Sequence, residues 1–354
     1  MTINKSYSLI LALLIVLLGS RVPLPGFDTA ALASSTYLFD SSWTARYSVF
    51  ALGMMPVAIV LAYAELVKLL IPSLAKWQQA SAVNASRMRW MIHLLVLVIT
   101  ATQGYSVWLA LGAMGLVDGA TVPLLIGILS LMAASAVLMW LMGVIRFPES
   151  GNGFWWLVAI FALYNFSESW SSLVELWHSK TIPVWLWALL GLMLILGFGL
   201  LVAIRKILGR QLGFDHPDST MAWAILLWPP FLASIFARHL IGLFTGLLPG
   251  FQMVLADHPW LWDAIPLTFT LLLIPLFAYA YLKQALKTPQ TLKSNKPVCQ
   301  AFLKVIGVQL VISLGFFLLN PFLYISVFDG ATFMVMAMAV LALCSGLGKR
   351  PKEA

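Results

Sequence analysis

The side chains of this chain best suited to proton transfer or metal binding are five histidines, His93, His178, His216, His239 and His258. A hydrolase needs a nucleophile and a base within reach, paired acids, or closely spaced metal ligands. These histidines are scattered and form no such spacing. "HPDS" at 216–219 and "GNG" at 151–153 read as turn and helix-start signals. Cys299 and Cys344 lack the spaced His or Cys partners of a metal site, and both fall where thiols stay reduced, so neither a metal nor a disulfide is expected. No catalytic residue and no cofactor is expected. A coupled transporter would carry an ionisable group near mid-membrane. Glu65, Lys68, His93, Glu168, Arg238 and His239 instead cluster toward the ends of apolar runs, and Glu65 with Lys68 reads as a near-interface ion pair. A secondary transporter or permease for a small solute is nevertheless the main rival reading.

Composition decides what holds these residues. Hydrophobic residues make up 61% and charged residues 10%, against about 45–50% and about 25% in soluble domains. Apolar runs of about 20 residues without period-two alternation specify membrane-spanning helices, not barrel strands. Ten spans are predicted, at roughly 6–22, 45–71, 90–114, 121–145, 154–175, 182–206, 220–246, 262–286, 299–319 and 324–346. The first could be mistaken for a secretory signal, since Lys5 precedes an apolar core and "ALA" stands at 31–33. Pro23 and Pro25 separate core from site, which favours a retained span. With the N-terminus cytoplasmic, 17 of the 21 lysines and arginines fall on the cytoplasmic side, leaving Arg21, Arg46, Lys180 and Arg238 outside. Both termini are therefore expected in the cytoplasm. Contact with anionic lipid accounts for the formal charge of +8 without a nucleic-acid partner.

The predicted fold class is an all-α polytopic membrane protein, its ten helices split into two inverted five-helix halves, 1–178 and 179–354. The outer stretch at 22–44 is mildly apolar ("TAALASSTYLF"), which suits a segment folded back at membrane depth. Helix breakers concentrate in the second span, with Gly53 and Pro56, and in the seventh, with Pro229 and Pro230. A mid-span proline bends or loosens its helix, so two bent helices in corresponding places could form a seam that opens. Ordinary tolerance of proline in membrane helices is the alternative.

The order of several motifs is familiar. "RVPLPGFD" at 21–28, "ARYSVFALGMMP", "LLIPSLAKW", Gln103 in "ATQGYS", "MWLMGVIRFPESGNGFWW" and "MAWAILLWPPFLASIF" together resemble the SecY family, the channel subunits of the bacterial protein translocase. The likeness is strong to about residue 160 and thinner beyond. It implies a protein-conducting channel in the bacterial cytoplasmic membrane, passing polypeptides or releasing signal sequences sideways into lipid. Arg21, Pro23, Pro25 and Gly26 would then form the plug entry, and 22–44 the plug, although the chain between Asp28 and Arg46 is short and lacks the family's Phe-Ser-Gly-Gly-like stretch. The pore ring would comprise Met54, Ala58, Val158, Trp228 and Val335, an apolar waist that dewets against ions. The lateral gate would involve Pro56, Gln103, Pro229 and Pro230, with Gln103 either tuning the closed seam or making an ordinary interhelical hydrogen bond. The resemblance also admits a SecE-like small subunit as partner. Against it stand the cytoplasmic stretches near 205–218 and 287–298, which are much shorter than the family's docking loops and argue against SecA or ribosome binding. A streamlined, divergent paralogue is the resulting expectation.

Overall fold

The computed structural model describes residues 5–27, 47–117, 121–145, 153–179, 183–211, 220–258, 260–285, 296–323 and 329–347. Among them the chain is nearly all helical, with two isolated bridges and no strand. Among the described residues six helices are long and apolar enough to cross a membrane, and a seventh candidate is a pair bent by 105°. Shorter apolar helices lie at Tyr7–Gly19, Phe154–Phe166 and Gly330–Cys344. The described residues fall into two compact units, the first holding 5–145 and 153–168, the second 169–347.

The first unit begins with α1 (Lys5–Gly19). Its next helix, α2 (Met55–Leu70), starts about ten residues later than the 45–71 span predicts. Residues 47–54 form turns instead, and Gly53 takes a positive φ of 50° that halts helix growth from that side. This corrects one expectation: Pro56 lies in the first turn of α2, where a missing N–H breaks no helical hydrogen bond, and so it is not a mid-span kink. At the other end Ile71 precedes Pro72, and the ring excludes the helical conformation. Ile71 accordingly sits at φ −120° and ψ 80°, and the chain turns by 105° into the short α3 (Pro72–Ala80). The expected Glu65–Lys68 ion pair forms near this end of α2.

Two long antiparallel neighbours complete most of this unit, α4 (Ala82–Ala113) and α5 (Thr121–Val144). Ser81 caps α4 by accepting from the Asn84 N–H at 3.1 Å. At its other end Gly115, at φ 71°, lets Leu116 N–H reach the Leu111 carbonyl at 3.0 Å and its own N–H reach that of Gly112 at 3.0 Å. That paired return is a Schellman cap, and Leu111 and Leu116 meet in one buried cluster as such caps favour. Helices α4 and α5 are also joined by a buried hydroxyl pair, the Thr100 and Ser135 oxygens 3.1 Å apart. The next helix, α6 (Phe154–His178), contributes its first part, to Glu168, to this unit.

The second unit is built from α7 (Val184–Gln211), α8 (Thr220–Leu247), the short α9 (Pro249–Asp257), α10 (Leu261–Ala285), α11 (Lys296–Leu323) and α12 (Gly330–Leu347). Helix α8 is its centre, in contact with α7, α9, α10, α11 and α12. Trp223, Ile225, Leu226, Leu227, Leu232 and Ala233 on it are all buried. Asp329 caps α12, its Oδ1 accepting from the Thr332 N–H at 2.6 Å. Helices α11 and α12 approach closely at Gly330, where a Cβ would lie 2.5 Å from the Ser313 Cα.

That approach sets a test. Gly330→Ala must push two backbones apart, and overpacking of this kind typically costs about 1–3 kcal/mol. A lower apparent Tm in detergent is expected, while Gly191→Ala in α7, with nothing within 4 Å of the new methyl, should leave it unchanged or raise it.

Candidate functional site

The stretch after α1 folds onto the start of the α2 region. Leu24 N–H donates to the Tyr47 carbonyl at 2.9 Å and Val49 N–H to the Val22 carbonyl at 2.9 Å, so Pro23 stands opposite Ser48 in an antiparallel bridge. Pro23 lacks an N–H, and its flanking residues make both ladder bonds. Gly26 takes φ 83° and reverses the backbone. Phe27 N–H then donates to the Leu24 carbonyl at 3.1 Å, and Phe27 stacks on Tyr47 with ring centroids 5.0 Å apart. Leu24 and Phe27 enter the cluster built by Trp108, Leu111, Leu116, Val117 and Leu131, which seats the turn on α4 and α5. Arg21 stays exposed beside it. Residues 28–46, most of the expected plug, lie outside the described residues, but both of their anchors are at one place.

The five expected ring residues occupy four helices, with Met54 at the entrance of the first of them. Met54 and Ala58 are buried one turn apart at the start of α2, joined by Ala58 N–H to the Met54 carbonyl at 2.8 Å. Val158 is half-buried in α6, three residues before Phe161, whose ring lies against Gly53 and meets Phe50 edge-on at 6.4 Å. In the second unit Trp228 is half-buried in α8 with its ring edge-on to Phe231 at 5.9 Å. Val335 is fully buried in α12.

The gate residues separate into three situations. Pro56 is buried in the first turn of α2. Gln103 is half-buried on α4, its Oε1 enclosed and accepting no hydrogen bond. Pro229 and Pro230 lie inside α8, where each removes the donor that a helix supplies four residues back. The carbonyls so deprived are those of Ile225 and Leu226, on residues with no exposed surface. A residue that sequence reading missed meets them: Gln309 on α11 donates from Nε2 to the Ile225 and the Leu226 carbonyl, each at 3.0 Å. A glutamine inside the otherwise apolar "VIGVQLVISL" was the available signal, since a buried amide in such a run needs a partner.

Close to that brace the second unit carries a half-open cavity of about 440 Å³ whose walls include Pro230, Arg238, Asp263, Thr270, Ser313 and Asp329. Arg238 Nη2 pairs with Asp329 Oδ2 at 3.5 Å, tying α8 to the N-terminal cap of α12. Among the described residues no group of three His, Cys, Asp or Glu side chains could hold a metal ion.

Helices of this length and apolarity, with buried polar side chains satisfying backbone within the span, make this a polytopic helical membrane protein. Over 219 residues the chain is 26% identical to the protein translocase subunit SecY of Buchnera aphidicola subsp. Baizongia pistaciae (strain Bp), covering 57% of this chain and 50% of that protein. It is 26% identical over 161 residues to the SecY of Buchnera aphidicola subsp. Acyrthosiphon pisum (strain APS), which is 41% of this chain and 37% of that one. Against the SecY of Buchnera aphidicola subsp. Schizaphis graminum (strain Sg) it is 28% identical over 111 residues, 28% of this chain and 25% of the relative. No family model matches. The chain thus spans half or less of the length of these relatives, and the three matches support a divergent relationship to the SecY family.

The turn at Gly26 predicts a measurable consequence. Gly26→Val places a branched side chain at φ 83°, with its Cβ 3.2 Å from Trp108, a strain of about 1–2 kcal/mol. Faster chymotryptic cleavage between Phe27 and Tyr47 than in the parent is expected, read by mass spectrometry of the fragments.

Proposed function

We propose that this chain is a SecY-like protein-conducting channel that translocates polypeptides or releases their apolar segments into the bilayer. The observation that carries the reading is the clasp at the start of α2, where Leu24–Tyr47 and Val22–Val49 bonds and the Phe27–Tyr47 stack hold both ends of the 28–46 segment together. A tether of that kind suits a plug, because a segment held at both ends can leave and return. The proposed body is ten spans in two inverted halves, 1–178 and 179–354, in the bacterial inner membrane with both termini cytoplasmic.

In this reading the work is physical and not covalent. Met54, Ala58, Val158, Trp228 and Val335 form an apolar waist, narrow enough to dewet against ions and soft enough to close around a threaded chain. Release into lipid needs no fuel, since each central Leu, Ile, Phe or Val of a passing segment favours the membrane by about 0.3–0.6 kcal/mol. Pro56, Gln103, Pro229 and Pro230 belong to the gate, and Arg21, Pro23, Pro25 and Gly26 to the plug entry. Translocating chains and signal sequences are the substrates, a SecE-like subunit and anionic lipids the partners.

Two measurements test this. A photo-crosslinker at Met54 or Val158 should capture the leader of an arrested secretory chain; no adduct, with a full-length SecY complex as positive control, overturns the channel reading. The short cytoplasmic connections near 205–218 and 287–298 should leave SecA and ribosome affinity far below that of full-length SecY, and comparable affinity in a pull-down would refute the proposed loss of docking.

A further inference from the structure

The tandem prolines of α8 create a backbone defect in a fully buried part of the second unit. Two consecutive carbonyls, of Ile225 and Leu226, lose their helical donors, and both residues are fully buried. Water does not reach them, so the defect must be filled by protein. Gln309 has two amide hydrogens and sits with no exposed surface on α11. Its Nε2 lies 3.0 Å from each carbonyl, one hydrogen for each. The opposite amide orientation would aim Oε1 at two carbonyl oxygens and is excluded by repulsion. The orientation adopted leaves Oε1 buried with no donor, so the side chain gives up its own acceptor to serve the α8 backbone.

We infer that Gln309 is a positioning residue whose amide substitutes for the two N–H groups missing at Pro229 and Pro230, making α8 and α11 move as one body across the proline break. Hydrogen bonds to backbone at a break resist bending there, whereas a bare tandem-proline helix hinges. Resting on the channel reading given above, α8 is a wall of the seam; its opening then carries α11 along instead of flexing α8 alone. Arg238 paired to Asp329 makes a second tie from α8, to the start of α12, about two turns beyond Pro230.

The test needs no translocation substrate, so its failure is separable from failure of the channel reading. With the exposed Cys299 and Cys344 changed to Ser, spin labels at Ala224 and Leu243 in full-length protein flank the break, about 28 Å apart at 1.5 Å per residue. Gln309→Leu, which has no donor, should broaden the distance distribution and shift it shorter. Gln309→Glu, protonated in so apolar a site, offers one hydrogen and should give an intermediate width, which also serves if the leucine variant does not fold. In Pro229→Ala/Pro230→Ala protein the helix regains its own N–H groups, and Gln309→Leu should then leave the distribution unchanged. An unaltered distribution in Gln309→Leu overturns the inference. Equal broadening with and without the prolines also overturns it, because Gln309 would then be acting only through packing.

Discussion

An apolar surrounding cannot hydrogen-bond a peptide group, and the whole structure is organised around that deficiency. Regular helix removes it wherever the chain can be regular. Elsewhere the missing bonds are supplied by identifiable groups: the Gly115 return at the end of α4, the Ser81 and Asp329 caps, the Pro23–Ser48 bridge, and the Gln309 amide against the Ile225 and Leu226 carbonyls. These irregular points are also the places where the chain departs from a plain bundle. One of them, the Pro23–Ser48 bridge, belongs to the clasp on which the channel reading rests.

The two proline-containing segments solve the same problem in opposite ways. Pro56 enters at the first turn of α2, where no helical acceptor awaits its missing N–H, and the turn conformations of residues 47–54 take up the change of direction before the helix begins. Pro229 and Pro230 lie within a continuous α8, so the cost falls on two carbonyls that a neighbouring helix must satisfy. One segment is irregular in backbone and pairs with Val22 and Leu24; the other is regular and depends on α11.

The stretch from Val22 to Phe27 shows how a short apolar turn becomes part of a core. Val22 and Leu24 make its ladder bonds, Gly26 reverses it, and Leu24 and Phe27 are buried against Trp108 and Leu131. Burial of an aromatic and a leucine contributes about 1.5–3 kcal/mol each, which is enough to fix where the adjoining 28–46 segment starts and, through the Phe27–Tyr47 stack, where it finishes. Anchorage of both ends is the structural support for the proposed plug.

Helix content, membrane character and the Glu65–Lys68 pair were legible in the sequence because they depend on local pattern: long apolar runs, and charges three residues apart on one helix face. So was the turn at "RVPLPGF", since Pro and Gly act on their own backbone angles. The true start of α2 was not legible, because "RYSVFALGM" is as apolar as a helix and only the pairing of Val22 and Leu24 with residues 47–49 draws it into turns. Nor was Gln309: its meaning comes from carbonyls 83 and 84 residues away in sequence. Local propensity is written in neighbouring residues, whereas the satisfaction of a broken helix is decided only once another helix has been packed beside it.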